Sequence, residues 1–319
     1  MKKIPIIIDC DPGVDDSFAL ALANSSELLD VVAITAVEGN VPAELTRRNA
    51  LGISEGLGMD CPVAFGADQP FYNPWYHDAS NTHGATGVGT VQFAEIRKQP
   101  DPRPAWELIY EEAVRHSGEM ILLAVGPLTN IATCLRLHPD LPRHLRRFVI
   151  MGGGTFGNVS RTNKTAEFNI WVDPRAAAEV FAQIEVWMVG LNATHAAAVE
   201  MADFAEMIAI CGDAPGAYIP RELAAFSKRN CEENGSDNNA IHDALAVASI
   251  LDPEVVGFAH HYVYVESGDV PNFGQTVIDF EGTSGKAPNC HVAMTVDQPR
   301  FVAMMKNMCR YYASAKQMQ

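Results

Sequence analysis

Residues 4–22 read Ile4-Pro5-Ile6-Ile7-Ile8-Asp9-Cys10-Asp11-Pro12-Gly13-Val14-Asp15-Asp16-Ser17-Phe18-Ala19-Leu20-Ala21-Leu22. The unbroken apolar run Ile4–Asp9 predicts a strand buried on both faces, and a helix over 15–24 follows it almost at once. A strand passing straight into a helix is the opening of an α/β unit with a parallel sheet. Between the two lie Asp9, Asp11, Asp15 and Asp16, four carboxylates within eight residues. They sit at the C-terminal end of the strand, the edge where open α/β sheets bind their ligands. Pro12-Gly13 predicts a tight turn that folds Asp11 back towards Asp15 and Asp16. Carboxylates held so close repel one another, so they take a cation or raise a pKa. An oxygen-rich set selects a hard cation, Ca²⁺ or Mg²⁺. The plainer reading is that Asp15 and Asp16 only favour the positive end of the helix.

The rest of the chain repeats the alternation. Strands are expected at Val31–Val37, Val63–Gly66, Met120–Val125, Phe148–Met151 and Val186–Leu191, with helices near 43–56 and 130–137. Asp173-Pro174 marks another helix start, with Asp as N-cap and Pro in the first turn. The tail offers strands at Tyr262–Glu266, Thr276–Phe280 and His291–Val296 and a helix from about Arg300. Two stretches break the pattern, 69–89 and 227–239, and both are expected to be mobile loops over the site. No repeat or low-complexity linker divides the 319 residues, so one open α/β domain is expected over 1–319.

Composition narrows the function. Apolar residues are 48% and charged residues 19% of the chain, a globular balance that excludes disorder. Lys and Arg number 23 against 39 Asp and Glu, a net charge of −16. That disfavours nucleic acid and an anionic membrane surface as partners. The seven cysteines are scattered without a Cys-x-x-Cys pair, which predicts reduced thiols and a cytoplasmic setting. The N-terminus is read as the first strand instead of a signal peptide, because its short apolar run meets Asp9 and Asp11 at once.

Two further constellations carry chemistry. His242-Asp243 stand at the mouth of the apolar segment 244–248, where they serve either as a site or as a helix start. Glu167 and Asn169, preceded by Asn158 and Asn163, are expected on an extended segment with both side chains on one side. Such a pair suits a polyol, because Asn both donates and accepts while Glu accepts. By contrast, Gly152–Gly157 only imitates a dinucleotide fingerprint. The polar run 158–163 that follows predicts a loop where that fingerprint needs a helix.

These segments, together with Glu38-Gly39-Asn40, His83-Gly84, Gly126–Asn130 and Met151–Gly153, occur in an order that resembles the nucleoside hydrolases, the inosine–uridine-preferring nucleoside hydrolase family. The resemblance spans nearly the whole chain. It implies an open, mostly parallel sheet and hydrolysis of the N-glycosidic bond of a ribonucleoside to ribose and free base, in nucleoside salvage. It implies Ca²⁺ held by Asp11, Asp16, Asp243 and the Thr129 carbonyl, with Asp11 also taking a proton from a water. It implies Asp15, Asn40, Met151, Asn158, Glu167 and Asn169 around the ribose, with Asn163 competing for the place of Asn158. His83 would sit near the base or the 5′ end, and His242 near the leaving base. A homodimer or homotetramer is implied as the assembly. Phe71, Tyr72, Trp75 and Tyr76 are candidates to stack on a base or to pack the first loop. The alternatives are another N-riboside as substrate (nicotinamide riboside or a modified nucleoside), a nucleoside-binding protein without turnover, or a phosphohydrolase using the same aspartates.

Overall fold

A computed structural model describes residues 2–159 and 164–314. The strands are β1 (Ile4–Cys10), β2 (Leu29–Ala36), β3 (Val63–Phe65), β4 (Asp101–Pro104), β5 (Met120–Ala124), β6 (Leu145–Met151), β7 (Val186–Val189), β8 (Val199–Glu200), β9 (Asn238–Asn239), β10 (Val256–Val265), β11 (Thr276–Asp279) and β12 (Cys290–Val296). Among the described residues, ten of these form one sheet in the order β11-β10-β12-β7-β6-β5-β1-β2-β3-β4. Pairing is parallel from β4 through to β12, and β10 and β11 add antiparallel strands at one end.

The strand order reverses at β1. From there the chain builds outwards through β2, β3 and β4, then returns to place β5 on the other flank of β1. The loops leaving β1 and β5 therefore diverge and open a crevice at the C-terminal edge of the sheet. Asp11–Gly13 form one of these loops, with Asp15 and Asp16 in the first turn of the helix Val14–Asn24 that follows, and Val125–Leu128 form the other.

The apolar run of β1 follows from burial on both faces. Ile6 and Ile8 join a core with Phe18, Leu20, Leu245 and Phe301, whereas Ile7 points the other way, among Leu122, Ile131, Phe148 and Phe181. Full burial of each such side chain is worth about 1.5–3 kcal/mol. No helix among the described residues is long and apolar enough to cross a membrane. All seven cysteines are free thiols.

The segment 227–239 departs from the expectation of a loop. Ser227–Asn234 is the second half of the helix Tyr218–Asn234, and β9 pairs with β8 just beyond it. The inward face of this helix is Leu223, Ala224, Ser227 and Cys231, a stripe at helical spacing made of small or weakly polar residues. Its polar residues face outwards or into the crevice, which made the segment read as a loop. Gly235, at φ +63°, ends the helix in the left-handed conformation that glycine adopts without strain. The other stretch, 69–89, is irregular apart from the turn of helix Ser80–His83.

Candidate active site

The crevice holds a cavity of about 830 Å³, lined by the first loop, the start of helix Val14–Asn24, the end of β6 and the helix Tyr218–Asn234. Asp15 and Asp243 line it, and Asp11 and Asp16, both fully buried, are bonded to the lining residue Asn40. Asp16 belongs to the first turn of helix Val14–Asn24, and its carboxylate accepts from the backbone N–H of Gly13 at 2.9 Å and of Asp11 at 3.1 Å. These bonds curl the acidic loop round the side chain. Asn40 adds a second hold. Its backbone N–H donates to Asp11 Oδ2 at 2.7 Å, and its amide donates to Asp16 Oδ2 at 3.0 Å and the Asp11 carbonyl at 3.2 Å. The backbone needs glycine beside Asp11: a Cβ on Gly126 would lie 2.7 Å from Asp11 Oδ1, and one on Gly39 would overlap Oδ2.

Electrostatics bear on what the cluster could hold. Burial first, and then the charge of Asp16, hold the Asp11 carboxyl well above the ordinary carboxylate range. Burial and the charge of Asp15 push Asp16 up to about 7, and Asp243 is raised by burial and by Asp15, Asp16 and Asp11 together. Oδ1 of Asp11 and Oδ1 of Asp15 are buried without a hydrogen-bond partner. Unpartnered oxygens on mutually repelling, buried carboxylates are what a cation site looks like without its charge. The tightest triple is Asp15, Asp16 and Asp243, each with an oxygen within 4.8 Å of the others. Asp15 thus stands with the acidic group that could hold a cation as well as lining the cavity, and Asp11 adjoins the triple through Asp16. The donors are all oxygen, which fits a hard divalent cation.

Asp9 plays a different part. It accepts from the Thr35 hydroxyl at 2.5 Å and from the Asn130 amide at 2.8 Å. Asn130 also accepts from the Ala67 N–H at 2.9 Å, so Asp9 pins the start of helix Thr129–Leu137. The Thr129 hydroxyl donates to the buried carboxylate of Asp173 at 2.8 Å. Asp173 also caps the next helix and accepts from the Phe71 N–H at 2.8 Å, joining three elements at one acceptor.

Glu167 and Asn169 line the cavity, but not from an extended segment. Glu167 is the N-cap of helix Phe168–Val172, and Asn169 lies in its first turn. Glu167 accepts from the N–H groups of Asn169 at 2.9 Å, Ile170 at 3.1 Å and Gly153 at 2.9 Å. Capping, a local demand, overrides the alternation read from the sequence. Burial still pushes Glu167 up to about 7. The Asn169 amide donates to the carbonyls of Val125 and Met151 at 2.8 and 3.1 Å. Met151 and Asn158 also line the cavity. Asn163 lies outside the described residues. No helix begins at Gly152–Gly157; among the described residues the next one starts at Phe168.

Three histidines line the cavity, His77, His83 and His242, and the last two are held by hydrogen bonds within it. His83 Nδ1 accepts from the Val14 N–H at 3.2 Å, so that nitrogen carries no proton and the ring is neutral with its hydrogen on Nε2. Burial lowers its pKa in the same sense. His242 opens helix His242–Leu251, with Nδ1 2.8 Å from Thr194 Oγ1. Burial lowers its pKa to about 4, helped by the neighbouring His195 and opposed by Asp15. Thr194, carried by no motif, orients this ring. Thr194→Val is expected to lower kcat about two- to tenfold, the worth of one hydrogen bond, with KM little changed and Thr194→Ser restoring the rate. Steady-state kinetics on the three proteins checks this.

The four loop aromatics do not reach the cavity. Trp75 packs edge-on against Phe273 at 5.2 Å, and the Tyr76 hydroxyl donates to the Gly39 carbonyl at 2.8 Å. Phe71 and Tyr72 lie beneath Arg136 and Arg175 at 3.8 and 4.2 Å. The aromatic lining comes instead from Phe18, Phe168 and Phe226, alongside Asn230 and Asn234. The i, i+4, i+8 spacing of 226, 230 and 234 was the available signal for a helix face in the site.

The sequence profile described as inosine-uridine preferring nucleoside hydrolase matches residues 6–303. The chain belongs to that family. It is accordingly a ribonucleoside hydrolase, an N-glycosidase. It is 37% identical over 303 residues to a non-specific ribonucleoside hydrolase, RihC, of Klebsiella pneumoniae subsp. pneumoniae, covering 94% of this chain and 96% of that one. It is also 37% identical over 314 residues to a pyrimidine-specific ribonucleoside hydrolase, RihA, of Salmonella typhimurium, covering 97% and 99%. Among solved structures, a plant nucleoside hydrolase superposes with a TM-score of 0.87 at 27% identity, covering 97% of this hydrolase and 99% of that chain. A purine-preferring ribonucleoside hydrolase from Gardnerella vaginalis gives 0.86 at 26%, with the same coverage.

Proposed function

We propose that this hydrolase is Ca²⁺-dependent and cleaves pyrimidine ribonucleosides, accepting other bases as well, in cytoplasmic nucleoside salvage. The observation that carries the cation requirement is the pair of buried, unpartnered carboxylate oxygens on Asp11 and Asp15 among acids that raise one another's pKa. Asp11, Asp16, Asp243 and the Thr129 carbonyl would hold the ion. When bound, Ca²⁺ would supply the charge that lets these acids ionise together, orient the ribose diol and acidify a water.

The chain's own groups do the rest. Asp11 Oδ1 accepts the proton of the attacking water. Asp15 accepts from a ribose hydroxyl. Breaking the glycosidic bond builds oxocarbenium character on the sugar, and the carboxyl oxygens of Glu167 with the amide oxygens of Asn40, Asn158 and Asn169 stabilise that charge. The Met151 side chain packs against the ribose. His242 hydrogen-bonds the departing base, and neutral His83 donates from Nε2 near the base or the 5′ hydroxyl. The segments 69–89 and 227–239 cover the bound nucleoside, excluding water from the developing ion.

Support for pyrimidine and broad acceptance is the similarity to relatives named pyrimidine-specific and non-specific. The free, mostly buried thiols support a reducing compartment. Exposed Tyr264, Phe280 and Met294 at the β10–β12 end of the sheet support a homo-oligomer, dimer or tetramer. The test is ribose release from uridine, cytidine, inosine and adenosine. Uridine and cytidine are expected to react at least as fast as inosine. Cleavage of purine nucleosides alone would overturn the base assignment.

A further inference from the structure

At the other end of the sheet, three side chains with different chemistry converge. His260 on β10 and His291 on β12 are directly opposed partners in the antiparallel ladder, and Glu185 immediately precedes β7 on the next strand over. The Nε2 atoms of His260 and His291 lie 3.2 and 3.1 Å from the same oxygen, Glu185 Oε1. The two imidazoles stack at 4.2 Å, and Trp187 stacks on the other face of His291 at 4.0 Å. Arg147 covers the far face of Trp187, again at 4.0 Å.

We propose that Glu185, His260 and His291 form a second cation site, for a divalent transition ion of the Zn²⁺, Ni²⁺ or Cu²⁺ class, with water completing the shell. Tetrahedral ligands at the usual metal–nitrogen and metal–oxygen lengths stand about 3.3 Å apart. The two nitrogen-to-oxygen spacings are already close to that. The parallel rings must tilt for both lone pairs to meet on one ion, and exposure of His260 and Glu185, at 41% and 59%, leaves them room to do so. Two imidazoles and one carboxylate favour borderline ions over Ca²⁺ and Mg²⁺. The site is therefore orthogonal to the all-oxygen cluster. It is also remote from it, since Glu185 and His291 stand at the N-terminal ends of β7 and β12. Arg147 opposes a cation by its charge, and the Glu185 carboxylate offsets it.

The experiment uses the full chain without a histidine tag, in excess Ca²⁺. Zn²⁺ is titrated by calorimetry into the wild type, His260→Ala and Glu185→Gln, both exposed positions whose replacement leaves the core intact. Each variant is expected to bind Zn²⁺ roughly ten- to a hundredfold more weakly. Cu²⁺ is expected to quench tryptophan fluorescence in the wild type and much less in Trp187→Phe, which still binds Zn²⁺. Equal Zn²⁺ isotherms in the wild type and both variants would overturn the site, as would quenching that Trp187→Phe leaves unchanged.

Discussion

Asp11→Ala is expected to lower kcat on uridine by roughly 10²–10⁴, the range that loss of a positioned proton acceptor costs, with the fold intact. Asp11 Oδ1 is buried and unpartnered, and Gly126 leaves the space beside it open. Asp11→Asn separates shape from chemistry. It keeps the volume and an oxygen that can accept from the Asn40 N–H, but it cannot take up a proton. A similar loss of kcat in both variants places the effect on proton transfer and cation holding. An asparagine variant within about threefold of the wild type would reject the role, because even general-base assistance at the low end is worth about 10². Stopped assays of ribose release, beside Ca²⁺ calorimetry on each variant, give both numbers.

Chelation is expected to destabilise the protein, and more so as pH rises. Asp16 has a folded-state pKa of about 7, and Asp11 and Asp243 are also raised above their unfolded values near 4. A carboxyl whose folded pKa is raised binds its proton more tightly when folded. Its contribution is fully present below the unfolded pKa and is lost as pH rises through the folded pKa. The stripped protein should therefore lose stability between about pH 4 and pH 8, on the order of a few kcal/mol. Ca²⁺ reverses the sign for these groups, because ionised carboxylates are what it binds. The melting-temperature gap between Ca²⁺-loaded and stripped protein should widen from pH 5 to pH 8. Equal melting temperatures at pH 8 would mean that no cation sits among these acids.

The sequence was most legible where chemistry and fold use the same residues. The β1 run reads as a buried strand and the acidic turn after it as its polar edge, and the topology places that edge at the reversal point beside β5. His242, Asp243, Glu167 and Asn169 all line the same cavity for the same reason: each stands at a helix start facing the crevice. Legibility failed where residues serve two masters. The helix Tyr218–Asn234 packs inwards with Ser227 and Cys231, too weakly apolar to reveal its period, while Asn230 and Asn234 face the cavity. The aromatics at 71–76 could stack on a base or pack the loop, and the sequence does not choose; arginine and Phe273 partners claim three of them and the Gly39 carbonyl claims Tyr76. β4 is Asp101-Pro102-Arg103-Pro104, whose two prolines suit only a sheet edge and hide a strand from pattern reading. Thr194 touches the site through one hydrogen bond made across 48 residues, a contact that no local pattern encodes.

The most direct measurement is ribose release from uridine by protein stripped with EDTA, then given back Ca²⁺ stoichiometrically. Release that stops on stripping, returns with Ca²⁺ and yields one uracil per ribose is the expected result. Turnover that persists undiminished in the stripped protein would contradict the proposal that the carboxylates of Asp11, Asp16 and Asp243 work as a cation site.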